Sequence, residues 1–305
     1  MKRRIENVTA SIQARLKNKA DEIGRPFNEI LQYYGMERFL YRLSKTVYAK
    51  DFILKGGLML YGLDIPMRRP TRDIDFLGTA AYLQKDIMSV FNAAMSVPFP
   101  GDGMLFDPKT LRLSQTQAEA NQGGIRITFI GYLGTVRLPM QVDVGFSDEL
   151  ASEALSIEYP IILSDMEVPR LKGYPLESII SEKFHAMIRF ADLNSRWKDY
   201  YDIYLLLDAF EFESQVLINA LKATFSNRPT SLTDEIPYGL RDEFAIANQE
   251  KWKTFLSKYK LGNVSITDLR QVINRIWQFM DYPLRGVKAE VQIREKYWTR
   301  DSGWR

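Results

Sequence analysis

The stretch KGGLMLYGLDIPMRRPTRDIDFLG, residues 55–78, decides how this chain is read. Near its end two aspartates, Asp73 and Asp75, flank a single isoleucine and lead into Phe76 and Leu77. Alternation with a period of two predicts a strand around Arg72 to Leu77, with Ile74 and Phe76 on one face and both acids on the other. Two carboxylates about 4 Å apart repel by roughly 4 kcal/mol at the effective dielectric near a protein surface. The pair therefore needs a positive partner, either a bound cation or basic side chains. Upstream, the apolar run Phe52 to Leu54 precedes Lys55, Gly56 and Gly57, and LMLYGL opens a helix. Strand, glycine turn and helix follow in order, and the free N–H groups of such a turn suit a phosphate.

Working outward, residues 5 to about 49 repeat apolar side chains at three and four (Ile12, Leu16, Phe27, Ile30, Leu31, Tyr34, Phe39, Leu40, Leu43), which predicts a helical lead-in. A helical patch from Ala80 to Met95 ends at the turn-rich PFPGDG. After the Gly123-Gly124 pair, IRITFIGYLGTVRLPMQVDVGF alternates as two strands joined by a glycine-containing loop. Its even positions from Val136 to Val144 are all apolar, and Arg137, Gln141 and Asp143 fall on the odd face. Asp143 thus sits on the polar side of a strand, as Asp73 and Asp75 do. From Leu176 the pattern turns helical and remains so to about Met280, and the tail EKYWTRDSGWR reads as loosely held. The organisation expected is a lead-in over 1–50, an α/β domain over 51–170 and a helical C-terminal domain over 171–305.

Composition removes several chemistries. There is no cysteine, so disulfides, thiolate metal sites and cysteine nucleophiles are excluded. His185 is the one histidine, which speaks against a zinc site or a Ser-His-Asp triad. A formal charge of +3 permits contact with nucleic acid or nucleotide phosphates without requiring it. The basic start MKRR has no apolar core after it, and no apolar run approaches the ~18 residues that span a bilayer. The expectation is a soluble, cytoplasmic protein with no membrane partner.

An all-oxygen site of paired carboxylates points to Mg²⁺, which takes one or two carboxylates and completes its shell with water and nucleotide phosphates. A third carboxylate, Asp143, would allow a second metal and in-line phosphoryl or nucleotidyl transfer. The plain alternative is a solvated strand face screened by Arg68, Arg69 and Arg72; the same basic cluster could instead guide polyphosphate or RNA toward the metal. Lys198, Asp199 and Asp202 have the spacing of a surface ion-pair ladder. Glu182 is expected to pair with Arg189 or a neighbour, and His185 to be a structural hydrogen bonder. Trp197, Tyr200, Tyr201 and Tyr204 are either core or a platform for stacking bases.

The glycine turn, helix and D-x-D of residues 55–78 resemble the first signature of the nucleotidyltransferase superfamily. With MERFLYRLSKTVYAKDFILKGG before it, and IISEKFHAMIRF and SRWKDYYDIYLL after it, the chain resembles the AbiEii/AbiGii toxins, also described as MenT-like, of type IV toxin–antitoxin pairs, from about residue 35 to 208. The resemblance implies a nucleotidyltransferase-fold domain with a small mixed sheet, followed by a helical domain that closes the nucleotide cleft. It also implies metal-dependent transfer of NMP from an NTP to an acceptor hydroxyl, the tRNA 3′ end, and an AbiEi-like antitoxin as counterpart. Asp73 and Asp75 match the metal-binding D-x-D, and Lys183 matches a lysine used on the triphosphate. Asp199 and Asp202 match aspartates near the nucleotide or organising the pocket. Asp143 would complete the metal site or take the acceptor's proton. Lys55, Gly56, Gly57, Thr71 and Arg72 complete the expected nucleotide contacts. One departure is that Gly57 and Leu58 stand where the superfamily often has a hydroxyl after the turn glycine; Thr71 is the nearest hydroxyl. A protein or small-molecule acceptor, or a catalytically silent nucleotide- or RNA-binding module, stays open at this point.

Overall fold

The computed structural model of the chain describes residues 2–63, 65, 69–79, 84–116, 124–146, 150, 152–190, 196–226, 228, 230, 232, 235–261, 266–289 and 293–305. The chain packs as two compact units, one of Met1–Asp64, Pro70–Asp148 and Ala154–Tyr174, the other of Ile65–Arg69, Glu149–Glu153 and Pro175–Arg305.

The first unit is a mixed sheet with helices. Its strands are β1 (Phe52–Lys55), β2 (Ile74–Gly78), β3 (Met104–Thr116), β4 (Gly124–Leu133), β5 (Val136–Phe146), β6 (Leu155–Glu158) and β7 (Arg170–Gly173), in the spatial order β3-β4-β5-β2-β1-β7-β6. The β2–β5 and β1–β7 pairs are parallel and the others antiparallel. The sheet is mixed, as expected, and reaches seven strands because β3, β6 and β7 join the strands visible in the sequence pattern. The glycine turn after β1 leads into α3 (Gly56–Gly62), and helices α1 (Lys2–Glu22), α2 (Phe27–Ser44) and α4 (Gln84–Ser96) complete the unit. The expected lead-in is two helices separated by Gly24, which has a left-handed φ of 65°, and Pro26. Residues 80–83 of the expected helical patch and Gly123 lie outside the described residues.

One sheet face is apolar and carries the core. Phe39 of α2 packs its ring 5.5 Å from Phe91 of α4 and 4.9 Å from Phe129 of β4, while Phe52 and Phe76 meet edge-on at 5.8 Å. Leu138, Met140, Val142 and Val144 of β5 are buried, so the period-two alternation places its odd positions on the opposite, more open face. That alternation is what leaves Asp73, Asp75 and Asp143 on a common side.

The second unit consists of α5 (Leu176–Phe190), α6 (Trp197–Ala209), α7 (Ser214–Ser226), α8 (Asp242–Lys258) and α9 (Leu269–Lys288), with a small sheet of β8 (Phe212–Glu213), β9 (Tyr297–Thr299) and β10 (Gly303–Trp304). Helix α9 begins at an Asp268 cap whose carboxylate accepts from the Arg270 N–H. The C-terminal tail is anchored, contrary to expectation. Trp298 is buried, Trp304 stacks 5.2 Å from Phe279, and the Trp304 indole donates to the Phe279 carbonyl. Large aromatic area and an indole N–H with a partner outweigh the polar residues that suggested a free end. Among the described residues no helix is long and apolar enough to cross a membrane.

Candidate active site

Strand register assembles the first charged cluster. Lys55 of β1 lies opposite Asp75 of β2, Asp75 opposite Asp143 of β5, and Asp143 opposite Arg126 of β4. Four adjacent strands therefore carry one row reading cation, acid, acid, cation. Like charges directly opposite in a sheet are destabilising, and here a cation flanks each acid. Asp73 precedes Asp75 by two residues and joins the same face. Ligand oxygens of Asp73, Asp75 and Asp143 all lie within 4.8 Å of one another, and each residue is half-buried.

The surroundings hold these carboxylates in place. Thr71 Oγ1 donates to Asp73 Oδ1 at 2.6 Å, and the Thr71 backbone N–H donates to the Tyr33 hydroxyl at 2.9 Å. Gly56 has a φ of 69°, and a Cβ there would stand 2.0 Å from Asp75 Oδ2, so the turn is glycine for two reasons at once: backbone hand and close approach of the acid. Arg126 grips Asp143 with both arms, Nε to Oδ1 at 2.7 Å and an η nitrogen to Oδ2 at 2.8 Å, and Gln141 adds a donor to Oδ2 at 3.1 Å. The Arg126 guanidinium is held above its ordinary pKa by this hydrogen-bonded pair first, with the charges of Asp73 and Asp75 contributing further. Lys55 points its ammonium at the Tyr174 ring, 5.3 Å from the centroid. Among the described residues the three carboxylates stand together with Asp143 paired to Arg126. Such oxygen donors would suit a hard divalent cation, which Asp73, Asp75 and Asp143 together would hold.

A second charged cluster lies in the helical unit. Lys183 of α5 donates to Asp199 at 2.9 Å and to Asp202 at 2.8 Å, both on α6. Arg69 forks onto Asp202 at 3.0 and 2.8 Å, and Arg196 donates to Asp199 at 2.6 Å. Burial alone would raise both carboxyls, yet Lys183 with Arg196 holds Asp199 below the usual range, and Lys183 with Arg69 does the same for Asp202. Burial likewise works against the Lys183 ammonium, and Asp199 and Asp202 outweigh it and keep its pKa raised. The cluster is nearly closed, with Lys183 12% exposed and both acids at 1–2%.

A family model described as the nucleotidyl transferase AbiEii toxin of type IV toxin–antitoxin systems matches residues 38–281. The chain belongs to the AbiEii family. It is accordingly a nucleotidyltransferase of a toxin–antitoxin pair, with a nucleotide as substrate and an antitoxin as partner. Two solved structures are similar over most of their length. JHP933 from Helicobacter pylori is 14% identical, with 85% of this chain and 93% of that one covered and a TM-score of 0.46. A second H. pylori protein, provisionally described as a nucleotidyltransferase, is 13% identical, with 85% and 96% covered and a TM-score of 0.45. No curated protein matches the chain at a significant level.

The expected residues of this AbiEii chain fall into separate groups. Asp73, Asp75 and Asp143 come together with Gly56, Thr71 and Lys55 around them, while Lys183, Asp199 and Asp202 form the helical unit's cluster. Gly57 sits in the first turn of α3, and Arg72 is exposed beside Asp73. Of the expected arginine screen, Arg69 pairs with Asp202 instead, Arg68 lies outside the described residues, and Arg126 adds a guanidinium on Asp143. The surface ladder is also corrected, because Asp199 and Asp202 are buried partners of Lys183 rather than solvated partners of the exposed Lys198. Tyr200 and Tyr201 belong to the core; Tyr200 stacks 5.8 Å from Phe244 and donates its hydroxyl to the Gly239 carbonyl. Glu182 forms an ion pair with Arg228, and His185 meets the Thr230 hydroxyl at 3.0 Å. Arg126 was legible in principle: β4 and β5 are joined by the two-residue loop Gly134-Thr135, and counting back from Leu133 opposite Val136 reaches Arg126 opposite Asp143.

Proposed function

We propose that this AbiEii chain moves a nucleoside monophosphate from an NTP to an acceptor hydroxyl, with Mg²⁺ held by Asp73, Asp75 and Asp143. The observation that carries this reading is the meeting of three carboxylates within 4.8 Å on neighbouring strands. A divalent ion bound there supplies neutralisation of the polyphosphate and of charge developing on the attacking and leaving oxygens. In the transfer, the acceptor oxygen bonds to the α-phosphorus as its bond to the pyrophosphate oxygen breaks, and pyrophosphate leaves with the electron pair. Thr71 and Gln141 fix the rotamers of Asp73 and Asp143, and Gly56 leaves room for Asp75 to point into the row. Asp143 completes the metal set or takes the hydroxyl proton. Lys55, Arg72 and the backbone of Gly56 and Gly57 are cationic or N–H partners for phosphate oxygens in the first unit. In the helical unit the Lys183 ammonium, oriented by Asp199 and Asp202, is the group for a phosphate oxygen.

The acceptor follows from the family resemblance: the 3′ end of a tRNA, in the cytoplasm, with an AbiEi-like antitoxin as the counterpart. The test is to incubate the purified chain and Mg²⁺ with each of the four α-labelled NTPs and separate pools of tRNA, protein and metabolites. Label in tRNA, lost in Asp73→Asn and reduced in Lys183→Ala, is the expected result. Label in protein or metabolites alone would refute the tRNA acceptor, and no label in any pool would refute the transfer.

A further inference from the structure

The acid row contains a cation of its own. Arg126 and Asp143 face each other across antiparallel strands with two parallel hydrogen bonds of 2.7 and 2.8 Å, the geometry that makes arginine–carboxylate pairs strong. Their exposure is unequal: the Arg126 side chain is 44% exposed and Asp143 22%. Asp143 is further held by Gln141, whereas Asp143 is the single hydrogen-bond partner of the Arg126 side chain among the described residues. The guanidinium is thus the freer member of the pair. Both Asp143 oxygens accept from Arg126, and Oδ2 accepts from Gln141 as well, so an incoming divalent ion meets a carboxylate whose lone pairs are largely taken.

Resting on the metal reading above, we propose that Arg126 is a stand-in cation: it neutralises Asp143 while the row is without metal, yields that carboxylate to the divalent ion, and turns to a phosphate oxygen of the incoming nucleotide. A bare ion must displace Arg126 from its two hydrogen bonds and brings no anion to replace them. An ion arriving with polyphosphate supplies the replacement partner, since arginine binds phosphate by the same two-armed geometry. Arg126 therefore makes the site favour metal together with triphosphate over metal alone. The contrast with Arg69 supports the assignment: Arg69 makes a similar fork to Asp202, but at 12% exposure it has no comparable freedom.

The test is a titration of the full chain with Mn²⁺ followed by electron paramagnetic resonance, without nucleotide and then with inorganic triphosphate as probe. Arg126→Gln should bind bare Mn²⁺ about tenfold more tightly than wild type, a gain of ~1.4 kcal/mol. Arg126→Lys, which keeps the charge and loses the fork, should fall between them. Arg137→Gln, on the same face of β5 but six residues from Asp143, should stay within about twofold. In an Asp143→Asn background the Arg126→Gln gain should shrink to about twofold or less, which separates competition for Asp143 from a general charge effect. With Mn²⁺ present, triphosphate should bind Arg126→Gln more weakly than wild type, by about threefold or more. Unchanged Mn²⁺ affinity in Arg126→Gln, the same gain with Asp143→Asn, or undiminished triphosphate binding would overturn the inference while leaving the metal site standing. Failure of both wild type and Arg126→Gln to bind Mn²⁺ would remove the metal reading itself and the inference with it.

Discussion

The two charged clusters of this chain are built on opposite plans. In the sheet unit three half-buried acids come together, and Asp143 is paired with a 44%-exposed arginine. In the helical unit two acids at 1–2% exposure are enclosed by three cations, and each carboxylate is doubly partnered. The first cluster is open to solvent, whereas the second is nearly closed and ties helix α5 to α6. Removing a member should therefore cost activity in the first cluster and folding stability in the second.

Asp73→Asn should give the largest effect, a loss of transfer of at least about 10³-fold, or ~4 kcal/mol of transition-state stabilisation, with little change in the melting temperature. Labelled-NTP transfer and a thermal melt of the same sample check it together, and a melt lowered by many degrees would break the contrast. Next, Asp202→Ala strands Lys183 and Arg69 in a nearly closed site with one carboxylate between them, and should cost about 3 kcal/mol or more in a urea unfolding curve. A loss under about 1 kcal/mol would mean that the helical cluster is not structural.

His185 sharpens the same contrast through pH. Burial, with Arg228 and Arg189 adding to it, pushes its imidazole down to about 4. An unfolded histidine takes up its proton near 6.5, so between about 6.5 and 4 the unfolded chain binds a proton that the folded one refuses, and stability falls as the pH falls. Its share should be about 2 kcal/mol between pH 7 and 5, read as the difference in pH dependence between wild type and His185→Gln. The pairs around Lys183 should add nothing in that window: the lowered Asp199 and Asp202 give their stability above the usual carboxylate range and lose it only in stronger acid, and the raised Lys183 loses its share only in strong alkali. The smallest effect is expected from Asp143→Asn on stability, under about 1 kcal/mol, because its ion pair with Arg126 is open to water.

How much of this was readable beforehand follows from how local each signal is. The faces of β2 and β5 were legible because alternation is a property of each strand alone, and Asp73, Asp75 and Asp143 were placed on the polar side by counting. The parallel β2–β5 pairing that sets Asp75 opposite Asp143 is a long-range event that no local pattern encodes. Arg126 lies between the two cases: the tight loop Gly134-Thr135, with Gly134 at a φ of 63°, fixes the hairpin register that brings it to Asp143. The burial of Asp199 and Asp202 was hidden because spacing along one helix cannot show what covers it; Lys183 comes from a different helix and Arg69 from far upstream. Strands β3 and β7 were missed for a related reason: the exposed and buried positions of β3 shift phase at an irregularity between Asp107 and Arg112, and β7 is only four residues long.

The most direct measurement is the anomalous difference map of crystals of this chain soaked with Mn²⁺ and triphosphate. The account predicts a peak within coordination distance of carboxylate oxygens from Asp73, Asp75 and Asp143, with Arg126 moved off Asp143. A peak elsewhere, or full Mn²⁺ occupancy with those three side chains turned away from it, would contradict the account at its root.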